Sequence, residues 1–384
     1  MNNTFKKWCA VLYVLTLLCF SVPLGAQDSY NVESEPTAFN KKSSTVVIIP
    51  DTQGYTSSDL NAEVLQGVMD WIVKNKDKRN IQGVVHVGDM TNNNGKEQWS
   101  RIRSCFKVLD NKLPYVICEG NHDVKKRNGE YVDLMNQYFN IEQNKLNRPF
   151  FQTSYEPGKL QNASYKMQVN GQEFLFLALE FSPRVEVLEW ADQLIKENSN
   201  SRIFLTIHDY MSENSRLVSE DGQPEPVKEN VGGAKRRTYG MDVYEKLILP
   251  NANVEFLVCG HAGAARLRKE GEALSEVEQK AVIKNGKYGY VKEEYFKTFC
   301  YDPDIATGHR MDEVQKGLAK HQILFNAQWI RDDNGVGNGG DGWILLLEFH
   351  SDHKAVQVKT YSPYLQKWRT GDEYNYILKR SGSI

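Results

Sequence analysis

Five short apolar runs, rich in β-branched residues, are each followed directly by a polar motif. The runs lie at 46–49, 84–87, 115–117, 203–207 and 254–258. Short runs of this composition that end at glycine or a polar cluster predict buried strands. In open α/β sheets, the residues just past the carboxyl ends of the strands form the ligand site. We therefore expect five strand ends to bring polar side chains to one edge.

Two stretches between the first three runs have helical spacing. Apolar residues recur every three or four positions in 60–72 and again in 99–109, which predicts two amphipathic helices. The resulting strand-helix-strand-helix-strand order predicts a parallel-type layered sheet.

The middle of the chain predicts a hairpin. Asn170-Gly171 separates two apolar segments, 163–169 and 173–179, and this dipeptide is a strong two-residue hairpin signal. A helix at about 185–198 then leads to the fourth run.

The C-terminal part returns to strand patterns, at 321–328, 343–348 and 355–361. Before them lie a polar stretch, 212–238, and a charged insertion, about 264–320, with one predicted helix near 274–283. The stretch 212–238 is interpreted either as a solvated loop or as a lid whose cations contact an anionic substrate. The glycine-rich segment 335–342 lacks a strand-to-helix context, so we expect a flexible connection near the site mouth rather than a phosphate-binding loop.

The N-terminus has the pattern of an export signal. Residues 1–26 combine a basic start, an apolar centre and a small residue at the end. Residues 27–44 predict a linker, and 45–384 one large domain. No later stretch approaches the about 20 apolar residues of a membrane span. We expect an exported chain, periplasmic or secreted, without a span in its mature form. The alternative is an N-terminal anchor that is retained.

The charge balance excludes one class of partner. The chain has 47 Lys and Arg against 49 Asp and Glu, a formal net charge of −2, and no basic block. Nucleic acid is therefore not expected as a partner. The cysteines after the leader are Cys105, Cys118, Cys259 and Cys300. They suit either disulfides or buried thiols. Oligomeric state is not predicted.

The strand-end residues form an inventory of metal ligands. They are Asp51, Asp89, Asn121, His208 and His261. Mixed oxygen and nitrogen ligands suit Mn, Fe or Zn better than Ca. Alone, each motif is weak, because an aspartate can cap a helix and a histidine can be structural. Gly120-Asn121-His122-Asp123 is stronger, because it places an amide, an imidazole and a carboxylate in consecutive positions.

In this order, the motifs resemble those of the calcineurin-like metallophosphoesterases, whose pattern is Asp-x-His, Gly-Asp, Gly-Asn-His-Asp or Glu, a lone His and Gly-His-x-His. The resemblance covers residues 45 to about 263. It implies an α/β (α+β) fold, a four-layer αββα sandwich of two mixed sheets flanked by helices. It also implies two divalent metal ions, Mn, Fe or Zn, with Mg also able to serve at the first site.

The resemblance assigns roles to the strand-end residues. Asp89 bridges the two metals, Asp51 binds the first, and the second is bound by Asn121, His208 and His261. His122 contacts the substrate phosphate or the leaving group, with Asp123 orienting it.

Two positions depart from the family pattern. Gln53 and Gly263 stand where the family has two histidines, and both belong to the first metal site. We expect Gln53 to offer a carbonyl oxygen. That site is therefore expected to be weak or empty, more oxygen-rich, or completed by water or another residue, with His309 and His321 as candidates.

The predicted function is hydrolysis of a phosphate mono- or diester by metal-activated water, on a small phosphorylated substrate. Arg236 and Arg237 of the polar stretch are predicted to bind that substrate. The alternative is a non-catalytic relative that binds a phosphorylated ligand. A metallo-β-lactamase-type hydrolase would require a His-x-His-x-Asp-His cluster, which the sequence lacks.

Overall fold

The computed structural model covers most of the chain beyond the predicted leader. It describes residues 31–381 except 128–129, 133, 223–229, 232–233, 264, 269–270, 276–278, 280–298, 302–303, 314–316 and 331–336. The predicted signal peptide and most of the predicted helix near 274–283 lie outside the described residues.

Helices and strands alternate in the first half of the chain, and strands dominate the second. In chain order the strands are β1 (Asn31–Val32), β2 (Ser44–Ile49), β3 (Ile81–His86), β4 (Tyr115–Ile117), β5 (Lys125–Arg127), β6 (Glu130–Val132), β7 (Phe151–Ser154), β8 (Ala163–Val169), β9 (Gln172–Ala178), β10 (Arg202–Thr206), β11 (Asn230–Val231), β12 (Ala234–Lys235), β13 (Val254–Cys259), β14 (Ala265–Leu267), β15 (Phe299–Tyr301), β16 (Ala306–Asp312), β17 (Lys320–Asn326), β18 (Ile344–Phe349), β19 (Ala355–Ser362), β20 (Lys367–Arg369) and β21 (Asn375–Lys379). The α-helices are α1 (Gln53–Thr56), α2 (Asp59–Asn75), α3 (Lys96–Phe106), α4 (Met135–Tyr138), α5 (Val185–Glu197) and α6 (Gly240–Val243). A 3₁₀ turn spans Glu220–Gly222, and a π-helical turn, Tyr244–Ile248, continues α6.

Two mixed sheets form the centre of the molecule. The first has the order β1-β20-β19-β18-β2-β3-β4, with β21 paired to β19, and the second has the order β16-β17-β13-β10-β9-β8-β7. In the first sheet β2, β3 and β4 are parallel, and in the second β9, β10, β13 and β17 are parallel. The predicted hairpin is confirmed, since β8 and β9 pair antiparallel across Asn170-Gly171.

Three apolar cores fix the order of the layers. One core lies between the two sheets and includes Val46 and Phe204. A second packs the first sheet against α2 and α3, and the third packs the second sheet against α5 and the π-helical turn. The order is helix, sheet, sheet, helix, which confirms the four-layer αββα sandwich of two mixed sheets.

The parallel strands direct their carboxyl ends to the same edge of the sandwich. The five predicted strand ends belong to β2, β3, β4, β10 and β13. A sixth end joins them, because β17 runs parallel to β13 and ends at Asn326. This sixth end was not predicted to carry site residues.

The predicted linker is in part a structural element. β1 pairs antiparallel with β20, and Glu35 forms ion pairs of 2.8 Å with Arg79 and 2.7 Å with Lys359. The predicted linker, 27–44, thus includes a short strand and an ion-paired residue. Of the two cysteine alternatives, the structure has the buried thiol at Cys118 and Cys259. In the part of the chain that the structure describes, no helix is both long and apolar enough to cross a membrane.

Candidate metal centre

Four polar side chains from both sheets converge where the strands end. Asp89 follows β3, Asn121 follows β4, His208 follows β10 and His261 follows β13. His208 is fully buried and Asp89 and Asn121 nearly so, whereas His261 is partly exposed. The sandwich thus brings together residues that lie up to 172 positions apart, numbered 89 to 261.

The ligand atoms of these four residues surround one point. His208 Nε2 lies 3.2 Å from Asp89 Oδ2 and 3.0 Å from Asn121 Oδ1. His261 Nδ1 lies 2.9 Å from the same Asn121 oxygen and 3.2 Å from His208 Nε2. Two oxygens and two ring nitrogens with lone pairs suit a divalent transition metal. We call this group the four-residue cluster.

The orientation of His208 fits a metal ligand. Its Nδ1 lies 2.9 Å from the carbonyl oxygen of Val87. A carbonyl only accepts, so Nδ1 carries a hydrogen, and Nε2 is the ring atom that faces the cluster and can bind a cation. Histidines that bind metals usually donate their other ring N–H to a carbonyl or carboxylate in this way.

Backbone strain coincides with two of the four positions. Asp89 has φ 51° and His261 has φ 63°, in the left-handed region that side chains other than glycine rarely adopt. Gly120 allows the loops after β3 and β4 to approach each other closely, because a Cβ there would lie 2.1 Å from the backbone nitrogen of Asp89. Strained residues of this kind cluster at ligand sites, where the surrounding structure holds them.

Burial and mutual charge set the protonation of the cluster. Burial alone would lower the pKa of His208, but the Asp89 and Asp51 carboxylates outweigh it and raise this pKa to about 10. Burial opposes ionisation of Asp89, yet the imidazoles of His208 and His122 hold its pKa well below its usual range. Burial lowers the pKa of His261 to about 4, so this ring is neutral. A cation bound here would therefore replace a proton on His208 Nε2.

Asp51 lies beside the cluster but has different partners. Its Oδ2 accepts hydrogen bonds of 2.8 Å from Asn326 Nδ2 and 2.8 Å from Gln328 Nε2, and its Oδ1 accepts one of 3.2 Å from the His261 backbone N–H. Burial raises the pKa of Asp51 to about 8. The charge of His208 and the backbone N–H of His261 oppose this rise and favour the ionised form of the carboxyl.

Gln53 and Gly263 contact the same C-terminal segment. Gln53 Nε2 donates to Gln328 Oε1, while Gln53 Oε1 is buried without a hydrogen-bond partner among the described residues. A Cβ added at Gly263 would lie 2.0 Å from Nε1 of Trp329. The two departures from the family pattern thus lie against residues 326–329, which directly follow the sixth strand end.

The two predicted substrate-binding arginines differ in their surroundings. Arg237 donates to the carbonyl oxygens of Phe181 (2.6 Å) and Ser182 (2.8 Å), so its guanidinium ties two loops together. Arg236 is buried and pairs with Asp209, but its Nε and Nη1 have no hydrogen-bond partner in the described part of the chain. The charge of Arg236 also lowers the pKa of His261.

The order of these motifs is that of a known protein family. The family model described as calcineurin-like phosphoesterase matches residues 44–263, more than half of the chain. The chain belongs to the calcineurin-like phosphoesterase family. It is thereby a member of a family of metal-dependent phosphoesterases.

Individual relatives are distant. The chain is 26% identical over 344 residues to an uncharacterized protein, YvnB, of Bacillus subtilis (strain 168), covering 88% of this chain and 21% of the relative. This chain thus spans about a fifth of that protein's length. Among solved structures, purple acid phosphatase PPD1 of yellow lupin (Lupinus luteus) matches at 13% identity with a TM-score of 0.43, covering 90% of this chain and 55% of the other. A 5'-nucleotidase precursor of Thermus thermophilus matches at 14% identity with a TM-score of 0.39, covering 88% of this chain and 54% of the other.

Within the calcineurin-like family pattern, Asp123 is placed differently from expectation, whereas the role expected for His122 stays a prediction. The His122 ring is oriented by Asn92, whose carbonyl oxygen lies 2.7 Å from Nδ1. Asp123 instead accepts hydrogen bonds from the backbone N–H groups of Met90 (3.0 Å), Thr91 (2.8 Å) and Gly120 (3.0 Å). The expectation that Asp123 orients His122 is therefore corrected, because its carboxylate joins the loops that follow β3 and β4.

These contacts bear on three further expectations. Gln53 donates through Nε2 to Gln328, while the Oε1 expected to bind the first metal has no partner among the described residues, so that role stays a prediction. The Arg237 guanidinium donates to loop carbonyls, and its role in substrate binding also stays a prediction. His309 and His321 stack on each other on β16 and β17, with ring centroids 5.5 Å apart. His321 pairs in register with Phe256, three residues before the end of β13, so neither histidine completes the first site.

The sequence did not identify several residues that contact the site. Asn92, Asp209, Asn326, Gln328 and Trp329 have no motif of their own. A usable signal existed for the last three, because they stand at or just past the end of a strand, as the predicted ligands do. The predicted strand, 321–328, was two residues too long and counted Ala327 and Gln328 as part of the strand.

Proposed function

We propose that the chain hydrolyses a phosphate mono- or diester with one divalent cation held by the four-residue cluster. The observation that carries this proposal is the convergence of Asp89 Oδ2, Asn121 Oδ1, His208 Nε2 and His261 Nδ1, with the His208 tautomer fixed by Val87. When bound, such a cation stabilises charge on phosphoryl oxygens and activates water as a nucleophile.

Arg236 supplies positive charge for the substrate. It lies over the Phe181 ring (5.9 Å), and the same ring lies 6.2 Å from that of His261. Two of its nitrogens, Nε and Nη1, remain without hydrogen-bond partners among the described residues, although a buried arginine normally satisfies its donors. Phosphate oxygens accept such donors in charge-assisted hydrogen bonds, so Arg236 binds the phosphoryl group and offsets its charge in the transition state.

His122 is the proposed general acid. Because Nδ1 donates to the Asn92 carbonyl, Nε2 is the ring atom that can exchange a proton with the substrate. His122 gives this proton to the leaving oxygen as the P–O bond breaks, and the bonding electrons remain on that oxygen. Asp123 acts as a positioning residue that holds the two loops on either side.

The test uses purified protein stripped with a chelator and reloaded separately with Mn, Fe, Zn or Mg. p-Nitrophenyl phosphate and bis(p-nitrophenyl) phosphate serve as the monoester and diester. We expect turnover of at least one ester that disappears on chelation and returns with metal. Metal-loaded protein that hydrolyses neither ester would contradict the proposal.

The alternative is a non-catalytic protein that binds a phosphorylated ligand. The hydrogen bonds that Asp51 accepts from Asn326 and Gln328 favour it, since they remove a carboxylate from metal binding. Phosphate binding by calorimetry without turnover of either ester would support this alternative.

We also propose that the protein is exported, because residues 1–26 have the pattern of a leader. N-terminal sequencing of the secreted or periplasmic protein would test this.

A further inference from the structure

The residues around Asp51 form a second group that replaces ligands of the first metal site. We infer that the protein binds a single divalent cation, because the first metal position is filled by Gln53, Asn326, Gln328 and Trp329. We call these residues the amide-indole group. The inference rests on the same centre as the proposed function, but not on turnover.

Donor hydrogens take the place of a cation at Asp51. Asn326 Nδ2 and Gln328 Nε2 each lie 2.8 Å from Oδ2, and both are buried. Two hydrogen bonds to one oxygen use the lone pairs through which that oxygen would bind a metal. A cation at Oδ2 would have to displace both buried amides from their acceptor.

The direction of the amides also removes Gln328 as a ligand. With its nitrogen turned to Asp51, its oxygen faces Gln53 and accepts from Gln53 Nε2. Gln53 Oε1 is then the one amide oxygen of this pair left without a partner among the described residues. Catalytic metal sites usually have three protein ligands. One amide oxygen beside a shared Asp89 falls short of that number, since Asp51 Oδ1 already accepts the His261 backbone N–H.

At position 263, where the family has its other histidine, the Trp329 indole occupies the space that a side chain would need. A side chain at position 263 would begin 2.0 Å from the Trp329 indole, far inside van der Waals contact. Gly263 is therefore matched to Trp329, as Gln53 is matched to Gln328. Apart from Gln53, the amide-indole group comes from residues 326–329, at the end of β17 and directly after it. This one segment therefore contacts both positions, 53 and 263, at which the chain lacks a family histidine.

The four-residue cluster provides the internal contrast. It gathers four atoms that can bind a metal, two oxygens and two ring nitrogens, with no amide N–H among them. The two positions are thus opposite in kind, since one needs a cation and the other is satisfied by N–H donors. This contrast predicts one ion per chain even at saturating metal.

The deciding experiment measures metal stoichiometry on the full-length protein. Stripped protein is titrated with Mn and with Zn, and bound metal is counted by elemental analysis after gel filtration. Electron paramagnetic resonance of the Mn form provides a second readout. We expect one ion per chain and the spectrum of isolated Mn. Two ions per chain, the spectrum of a coupled Mn pair, or no bound ion would overturn the inference.

A rebuilt variant tests whether the amide-indole group is the reason that only one ion binds. It combines Gln53→His and Gly263→His with Gln328→Ala and Trp329→Ala. The control keeps Gln328→Ala and Trp329→Ala but carries Gln53→Ala and Gly263→Ala. We expect two ions in the rebuilt variant and one in the control. One ion in both would overturn the assignment to the amide-indole group. If neither variant folds, the wild-type count alone decides. One ion without ester hydrolysis would uphold this inference and contradict the proposed function.

Discussion

The centre has two halves that begin from the same chemistry and end differently. Asp51 and Asp89 both follow buried strands and both are almost fully buried. Asp89 faces the imidazole of His208, whereas Asp51 faces the amides of Asn326 and Gln328. A buried carboxylate needs either a cation or several hydrogen-bond donors. In this protein Asp89 belongs to the cation site and Asp51 is satisfied by hydrogen-bond donors. A family ligand that is missing from the sequence therefore has to be interpreted together with the residue that occupies its place.

The largest contrast is expected between His208→Ala and Gln328→Ala. His208→Ala removes a ligand and the proton site of the cluster. We expect metal affinity to fall more than about 100-fold, because changes to residues that only orient ligands already cost about 10- to 100-fold. Turnover is expected to disappear with the metal. Titration calorimetry with Zn and the aryl ester assay measure the two effects.

Gln328→Ala is the matched change in the other half. It removes one donor from Asp51, so we expect a loss of stability of about 1–3 kcal/mol, as for a buried carboxylate that loses a hydrogen bond. Metal affinity is expected to stay within about threefold, on the scale at which 1.4 kcal/mol equals tenfold. Equal metal loss in the two variants would contradict the division into halves.

The two arginines give the next largest contrast. Arg236→Lys keeps the charge beside Asp209 but removes the planar donors. We expect kcat/KM to fall about 10- to 100-fold, less than the full loss of one transition-state donor, which costs about 100- to 1000-fold. Arg237→Lys weakens contacts to loop carbonyls, so a lower melting temperature with nearly unchanged kcat/KM is expected. The reverse ranking in kcat/KM would assign the phosphate to Arg237.

Much of the first contrast was predictable from sequence. Alternating strands and helices predicted the parallel strands, and glycine or polar residues after Val- and Ile-rich runs located Asp89, Asn121, His208 and His261. Asn326 and Gln328 were not predictable as partners of Asp51, nor was Trp329 as the neighbour of Gly263. Their side chains are uncharged, and their position depends on the pairing of β17 with β13, which joins residues more than 60 positions apart. Individual hydrogen-bond directions, such as that of Asp123, also require coordinates.

Trp329→Ala is expected to affect stability more than metal binding. The indole fills the space above Gly263 and is partly buried, so truncation leaves a cavity. Full burial would give a loss of about 3–5 kcal/mol, and partial exposure places the expected loss below that range. Denaturant unfolding measures the loss, and calorimetry is expected to show an unchanged count of one metal ion. A second ion in this variant would show that the indole alone closes the first position.

Gln53→His should have the smallest effect on metal binding. The substitution restores one family histidine, but Asn326 still donates to Asp51 and Trp329 still fills the space beside Gly263. Position 53 is buried at the start of α1, where an imidazole that loses the bond to Gln328 gains no cation. We therefore expect one Mn per chain and an unchanged resonance spectrum, with Gln53→Ala as the matched control. A second equivalent of Mn in Gln53→His but not in Gln53→Ala would show that the missing imidazole, rather than the amides and the indole, keeps the first position free of metal.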